Sequence, residues 1–597
     1  MRDLIRLLAP YCLRYKWRYL AGCVAVVLNA SLSTHVQEWI GKGVDYVCGR
    51  DATLHGVWPY ISIIVGLVIS SAIALYCQRM LVIVTSRRVE REMRNDFFRH
   101  LNRLSPAYYD RMKTGDIISR ATTDIDQIRN VLGPGIMHPL TTITTAIVTV
   151  GIMWRMSPVV TLVCFTPLLV LPVMVRLMAN ALYVRSLRIQ EQFSTFSGRI
   201  QESITGIRVV RSFVQEKHEL DTLDEMNQRS RTLNMSIARI DALFSPILVT
   251  LFTLGIILII WASGLFVVAD PSQVEPGTRV LTKGQLLTFV LLHRNLFWPL
   301  MGLGWILSIF QRASASTRRL MLIWKVQPDI VDSDETIRTI HEVRGDVEFR
   351  NLTFTYPKAE SPSLRDVSFR LTAGKTLGIV GPVGSGKSTI AHLITRLYNP
   401  PKETVFVDGR DVRTLPLDVL RQSIGMVFQE TYLFSDTIAA NICFGLRGEV
   451  DSEKAVSAAQ IASVDAEIEE LPQKFDSRLG ERGVNLSGGQ KQRVSLARAI
   501  ACDPRILILD DAFASVDTHT EEKILGGLRD VMRQRTTLLV SHRISTVQLA
   551  DEIIVLDGGR IVQHGRHEDL VAQEGLYAEI YRRQLLEEAI EGEDGTK

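Results

Sequence analysis

No pair of cysteines is set at redox or metal-ligand spacing: Cys12, Cys23, Cys48, Cys77, Cys164, Cys443 and Cys502 are scattered singly along 597 residues. That excludes a metal framework built on C-x-x-C pairs and leaves reduced, structural thiols as the expectation. Charge excess is missing too. Lys and Arg outnumber Asp and Glu by 68 to 64, and a net charge of +4 is too small for this length to mark a nucleic-acid-binding chain. Internal repeats and low-complexity tracts are absent. Residues 1–16 are basic but lack the short apolar segment and small-residue site of a secretory signal, so the first long apolar run is expected to remain as a membrane anchor.

What is present is a mixture. Hydrophobic residues make up 46% and charged residues 22%, yet mean hydropathy is positive at +0.13. A chain this long divides into two or more domains, and this balance predicts a membrane half joined to a soluble half. Six nearly uncharged stretches, at 19–34, 57–77, 131–154, 156–175, 242–269 and 286–310, approach the roughly 20 residues that a bilayer crossing takes. Glu38 is expected to cut the first one short. Any one stretch could be a short core helix, but six in succession could not.

Basic residues set the expected orientation. Arg2, Arg6, Arg14, Lys16 and Arg18 face only Asp3, and the long connections 79–130 and 180–240 are rich in Arg and Lys, whereas the connections near 42–56, 155–158 and 270–284 are short. The N-terminus, both long connections and everything after residue 310 are therefore expected on the cytoplasmic side. Both long connections show helical spacing of apolar residues, as in Ile189, Phe193, Phe196, Ile200 and Ile204. Helices there would project roughly 30 Å from the membrane.

After residue 345 the pattern changes to short apolar runs alternating with helices. Strands are expected at 347–349, 377–380, 506–509, 537–540 and 552–556, in an α/β domain with a largely parallel sheet. The expected divisions are a helical six-span domain over 1–325, a linker over 326–344, a nucleotide-binding domain over 345–585 and a disordered acidic tail over 586–597.

Gly381-Pro382-Val383-Gly384-Ser385-Gly386-Lys387-Ser388-Thr389 fits a phosphate loop between a strand and a helix. Glycines let backbone N–H groups converge on phosphates, and the helix N-terminus adds its positive end. Lys387 is expected to reach the β- and γ-phosphates and Ser388 to ligate Mg²⁺. Downstream, a hydrophobic strand ends in Asp510 and Asp511. In a phosphate-loop fold the first acid holds Mg²⁺ and the second polarises the attacking water. Alone, that strand reads equally well as an ordinary buried strand with a solvated acidic end.

Leu486-Ser487-Gly488-Gly489-Gln490 resembles the signature of ATP-binding cassette (ABC) proteins. That resemblance implies an adenine-stacking role for Tyr356, a Mg²⁺-sensing role for Gln429 and a switch role at the γ-phosphate for His542. It also implies an exporter-type loop at Gly480-Glu481-Arg482-Gly483 and a D-loop at Ser515-Val516-Asp517. In this family ATP and Mg²⁺ lie between one chain's phosphate loop and the other chain's signature, so a dimer is implied. The membrane half resembles exporter half-transporters at 108–126 (with Gly115, Asp116, Arg120, Asp124 and Asp126) and at 202–216 (with Gly206 and Phe213). Such loops carry short helices that dock on the cassettes.

One position departs from the pattern. Most cassettes place Glu where this chain has Asp511, and a carboxylate withdrawn by roughly 1 Å can cost about a hundredfold in rate. The chain in this respect resembles bacterial multidrug-resistance-like half-transporters that pair with a different subunit, with a homodimer as the alternative. The implied cargo is a lipophilic drug-like molecule, a lipid or a peptide. Arg294, beside His293 within the sixth span, is a candidate for attracting anionic or polar cargo, against pairing with an acid or snorkelling toward the interface. His138, Trp298 and Trp305 are expected mainly to pack. An ATP-gated channel, a regulatory subunit, a cassette on an unrelated anchor and an importer are the remaining alternatives.

Overall fold

Apolar runs too long to bury themselves in water dominate the first of two units. The computed structural model describes residues 2–50, 52–267, 281–446, 450–480, 483 and 485–594. It separates into Met1–Phe98 with Ile118–Trp324, and Arg99–Ile117 with Lys325–Lys597.

Among the described residues five helical stretches are long and apolar enough to cross a membrane: Lys16–Val47, Leu54–Leu101, Thr114–Met156, Pro246–Gly264 and Lys283–Trp324. A sixth, Pro158–Val170, is shorter. It is cut by a 3₁₀ turn at Thr166–Val170, where Pro167 and Pro172 withhold the amide hydrogens that a regular helix needs. Ile69, Ile73, Ile147, Leu162 and Trp261 are exposed along these helices, as lipid-facing side chains must be.

Two expected boundaries shift. Glu38 does not end the first span, because it is buried and paired with Lys42 at 2.8 Å and Arg155 at 3.0 Å; a charge neutralised in this way can stay inside a helix. In the sixth span the regular helix is interrupted at a single residue, Leu296, whose backbone stays right-handed at φ −78° and ψ −13°, between Lys283–Asn295 and Phe297–Trp324. Part of the fifth span and of the 270–284 connection lies outside the described residues.

The helices run far beyond a bilayer's thickness, as the long connections predict. Leu171–Thr205 and Glu216–Val267 flank a short helix, Ile207–Ser212. They are tied where Glu219 accepts from Arg199 and Ser203. Ile189, Phe196 and Ile200 are half-buried, but Phe193 and Ile204 stay exposed. The glycines singled out in the sequence are not demanded by space. A Cβ at Gly115 would meet nothing, and one at Gly206 would meet only the Glu202 carbonyl oxygen at 3.2 Å.

The second unit holds two sheets. Strands β1 (Val347–Phe354), β2 (Leu364–Leu371), β4 (Val405–Val407) and β5 (Arg410–Asp411) pair antiparallel in the order β2-β1-β4-β5. Strands β3 (Thr376–Val380), β6 (Ile424–Val427), β7 (Ile506–Asp510), β8 (Thr536–Val540), β9 (Glu552–Asp557) and β10 (Arg560–Gly565) order as β10-β9-β3-β8-β7-β6. All but β10 run parallel. Every residue of β3, β7 and β8 is buried, the mark of a sheet covered on both faces. Strand β1 thus belongs to the antiparallel sheet and not to the parallel core.

The segment before β1 has no regular structure but is bound down: the amide of Asn399 donates to the Asp329 carbonyl, Leu417 N–H to Asp332 and Ile337 N–H to the Thr414 carbonyl. The acidic tail differs from expectation over most of its length. Helix Leu576–Asp594 continues through it, because Leu, Glu, Ala and Ile sustain a helix once it has started.

Candidate functional site

Parallel strands aim their C-terminal ends at one edge of the sheet, and the expected residues gather there. The loop after β3 bends tightly. A Cβ at Gly381 would sit 2.0 Å from the Leu556 carbonyl oxygen. Gly386, at φ +100°, would place one 2.7 Å from the Ser363 carbonyl oxygen. Pro382, Val383 and Gly384 form the outer turn, with Val383 fully exposed. Helix Lys387–Ile394 follows, carrying Ser388 and Thr389.

The Lys387 ammonium donates to the carbonyls of Gly381 and Pro382, each at 2.8 Å, so it lies across the mouth of its own loop. Burial lowers its pKa, and the charges of Asp511 and Asp510 oppose that shift. Ser388 Oγ donates to Asp510 Oδ1 at 3.0 Å. Asp510 is 2% exposed. Burial above all, with the neighbouring charge of Asp511, pushes its carboxyl up to about 6 despite Ser388 and Lys387.

Asp511 adopts a left-handed backbone, φ +48°, a conformation that Asp tolerates better than most residues. Its Oδ1 lies 2.9 Å from His542 Nδ1 and accepts from the His542 N–H at 3.3 Å. Burial would raise the Asp511 pKa, but these His542 contacts and Lys387 outweigh it and hold it below the usual carboxylate range. The same bond raises the His542 pKa against the effect of burial. Gln429 follows β6, next to the end of β7, but is exposed and forms no hydrogen bond among the described residues.

Tyr356 turns inward. Its hydroxyl lies 3.2 Å from both Thr389 Oγ1 and His392 Nδ1, and its ring meets Tyr398 edge-on at 4.9 Å. Tyr398 in turn donates to Asp110, which follows the short helix Pro106–Tyr109. Ser487 caps helix Gly488–Ala501 in a reciprocal box with Gln490. Gly488 and Gly489 pack on Ser515 so closely that a Cβ would lie 3.4 and 2.9 Å from it. The signature thus rests on the Asp511–Asp517 loop, and its hydrogen bonds reach none of residues 381–389. Asp517 caps the next helix, Thr518–Arg533. Glu481 and Arg482 of the exporter-type loop lie outside the described residues.

Three residues that sequence reasoning passed over hold this edge together. Gln492, 5% exposed, accepts from Ser515 N–H at 2.8 Å. Glu521 accepts from Arg543 Nη1 at 2.5 Å and also from Thr546. Gln584 donates to the His542 carbonyl at 2.6 Å and accepts from Ile544 N–H at 2.8 Å. None stands in a recognisable spacing; being a polar residue on an otherwise apolar helical face was the one signal available.

The arrangement fits a nucleotide with Mg²⁺. Ser385 Oγ is buried in the phosphate loop without a partner, an unspent donor facing the cradle. Ser388 and Asp510 offer hard oxygen ligands, and among the described residues no group of three His, Cys, Asp or Glu could cage a metal alone. Mg²⁺ is characteristically held in this way, by one or two protein oxygens plus phosphate.

Comparison with known proteins agrees with this geometry. Residues 19–300 match the ABC transporter transmembrane region and 364–514 the ABC transporter domain. The chain is 35% identical to the multidrug resistance-like ATP-binding protein MdlA of Escherichia coli, over 97% of this chain and 96% of that one. It is 32% identical to the probable multidrug resistance ABC transporter ATP-binding/permease protein YheI of Bacillus subtilis, over the full length of both. It is 31% identical to the ATP-dependent lipid A-core flippase of Salmonella typhimurium, over 97% of each. A bacterial Atm1-family ABC exporter solved with ATP bound superposes with a TM-score of 0.77 at 26% identity, covering 95% of this chain and 99% of that one. A membrane-spanning helical unit and an ATP-binding unit that couples hydrolysis to transport thus share one polypeptide, and the chain belongs to the ABC transporter family as an exporter.

Proposed function

We propose that the chain is one subunit of a heterodimeric exporter of the bacterial cytoplasmic membrane, with its N-terminus and cassette in the cytoplasm. In this reading its own phosphate loop forms a slow ATP site, and its signature completes a faster site on a companion subunit. Asp511 carries the proposal. Its carboxylate is one methylene shorter than the usual Glu, and it is already engaged by His542 at 2.9 Å, so it is poorly placed to polarise water. The exposed second loop supports a dimer, since Val209, Phe213 and Val214 at its tip are uncovered in the single chain.

Within the site Lys387 and the amides of 381–386 hold the phosphates, and Tyr356 backs the adenine pocket. Ser388, Asp510 and Gln429 would hold Mg²⁺, which would supply positive charge against the phosphates. Ser487, Gly488, Gly489 and Gln490 face the companion's nucleotide. The names of the relatives, multidrug resistance-like and lipid A-core flippase, favour a lipophilic drug-like or lipid cargo, with peptides also compatible.

Phosphate release by the purified chain alone tests the pairing. Slow turnover that rises on adding the companion is expected; brisk Mg²⁺-dependent turnover by the chain alone, abolished by Asp511→Asn, would favour the homodimer instead.

A further inference from the structure

Residues on either side of Leu296 line a cavity of about 790 Å³ in the membrane unit, a volume within the range that takes a drug-sized ligand. Asn29 and Gln37 line one part of it, and Phe252, Phe297 and Trp298 another. Arg294 also lines it. This arginine is exposed and has no hydrogen-bond or ion-pair partner among the described residues. It occupies the last turn of helix Lys283–Asn295, where the free carbonyls favour a cation but do not neutralise it.

An internal counterion is hard to find. Within spans 16–47, 54–78, 134–156, 158–170, 246–264 and 283–310 the only carboxylates are Glu38 and Asp45. Glu38 is held by Lys42 and Arg155. Asp45 accepts from Thr282 and from the Gly284 N–H. Nor can Arg294 easily reach the water boundary. Helical rise puts it about 16 Å along the axis from Lys283, near the middle of a hydrocarbon layer about 30 Å thick. A charge at that depth is expensive without a partner or a polar cavity.

We propose that this cavity binds an amphipathic anion, whose acidic head pairs with Arg294 while its apolar body lies against Phe252, Phe297 and Trp298. Phe252 and Phe297 already meet edge-on at 4.8 Å, and Trp298, 77% exposed, extends the same aromatic wall. The amides of Asn29 and Gln37 offer secondary hydrogen bonds to the head. The inference deepens the export reading by naming a cargo class, and it rests on that reading only for the claim that the ligand is moved.

The test uses the full chain in detergent, without nucleotide, and three fluorescent probes with one apolar body: anthroyloxy-stearate, its methyl ester and the matching amine. The acid is expected to bind about ten- to hundredfold more tightly than the ester, the usual worth of a charge-assisted hydrogen bond, and the amine more weakly than either. Arg294→Gln should abolish the preference for acid and leave ester binding unchanged, whereas Arg294→Lys should keep most of it. Equal binding of acid and ester by the unaltered chain overturns the proposal, as does an acid preference that survives Arg294→Gln. If Arg294→Gln fails to fold, shown by loss of ester binding, the unaltered chain's acid-to-amine ratio and Arg294→Lys decide instead. A companion carboxylate pairing with Arg294 would show as no acid preference together with a dimer weakened by Arg294→Gln, and that also overturns it. Loss of ATP-driven movement with the acid preference intact would sink the export reading and leave the site standing.

Discussion

The two units handle buried charge in opposite ways. In the cassette each charge at the catalytic edge has its partner within the chain: Lys387 two carbonyls, Asp510 a serine hydroxyl, Asp511 a histidine and Glu521 an arginine. In the membrane unit Glu38 and Asp45 are satisfied, while Arg294 faces a cavity with no partner among the described residues. The cassette performs one reaction on one ligand and can afford a fully specified site. A cavity that must load and release cargo needs an interaction that the protein itself leaves open.

The largest expected effect tests the specified side. Lys387→Ala removes the one ammonium at the mouth of the phosphate loop. We expect phosphate release at this chain's site to fall by at least about a hundredfold, as for loss of a preorganised electrostatic contact. Filter binding of labelled ATP should weaken in parallel, whereas binding of the anthroyloxy probes should not change. A change in probe binding without nucleotide would show that the substitution disturbs the cavity as well as the phosphate loop.

Next in size is Asp511→Glu. Adding a methylene advances the carboxylate by roughly 1 Å, so hydrolysis by the chain alone should rise by up to about a hundredfold. The left-handed backbone at Asp511 qualifies this: Glu tolerates that conformation less well than Asp. A modest loss of thermal stability should accompany the gain. Unchanged turnover in a stable variant would mean that carboxylate reach is not what slows the site.

How much of this was legible in the sequence follows the same contrast. Gly381–Thr389, Asp510, Asp511 and the signature could be read because phosphate chemistry demands particular residue types at fixed spacing. Strands β3, β7, β8 and β9 could be read because a doubly covered sheet needs unbroken apolar runs. Strands β2, β5 and β10 were not identified because exposed positions interrupt their apolar pattern; β4 and β6 are apolar throughout but only three and four residues long, and β1 gave no sign that its partners are antiparallel. In the membrane half, composition located the spans but not the one-residue interruption at Leu296. Gln492 and Gln584 escaped notice because a glutamine's partners lie far away in the chain, and local patterning carries no trace of them.

Gln584→Leu should have a smaller effect than either substitution above. It deletes two hydrogen bonds that flank His542, each worth about 0.5–1.5 kcal/mol, while His542 keeps its direct contact with Asp511. A fall of about five- to tenfold in kcat with KM for ATP unchanged is expected, since the glutamine positions the histidine and touches no ligand. Gln584→Glu retains the acceptor for Ile544 N–H and should recover part of the rate. A fall confined to KM would show that the helix acts on nucleotide binding instead.

The smallest effect is expected where the cassette meets its loop. Tyr398 donates to Asp110 and packs edge-on against Tyr356, whose hydroxyl touches the helix of the phosphate loop. Burial first, then the bond to Asp110, raises the Tyr398 pKa, so the phenol is the donor throughout the physiological range. Tyr398→Phe keeps the ring contact with Tyr356 and loses that one bond. Basal hydrolysis should change by less than about twofold, because no group at the phosphates is altered. Stimulation of hydrolysis by an anionic amphiphile must reach the phosphate loop from the membrane side, and a hydrogen bond between loop and cassette can carry part of that coupling. We expect a two- to fivefold loss of stimulation, in the range of about one hydrogen bond's net free energy. Equal loss of basal and stimulated rates would assign Tyr398 to the nucleotide pocket alone.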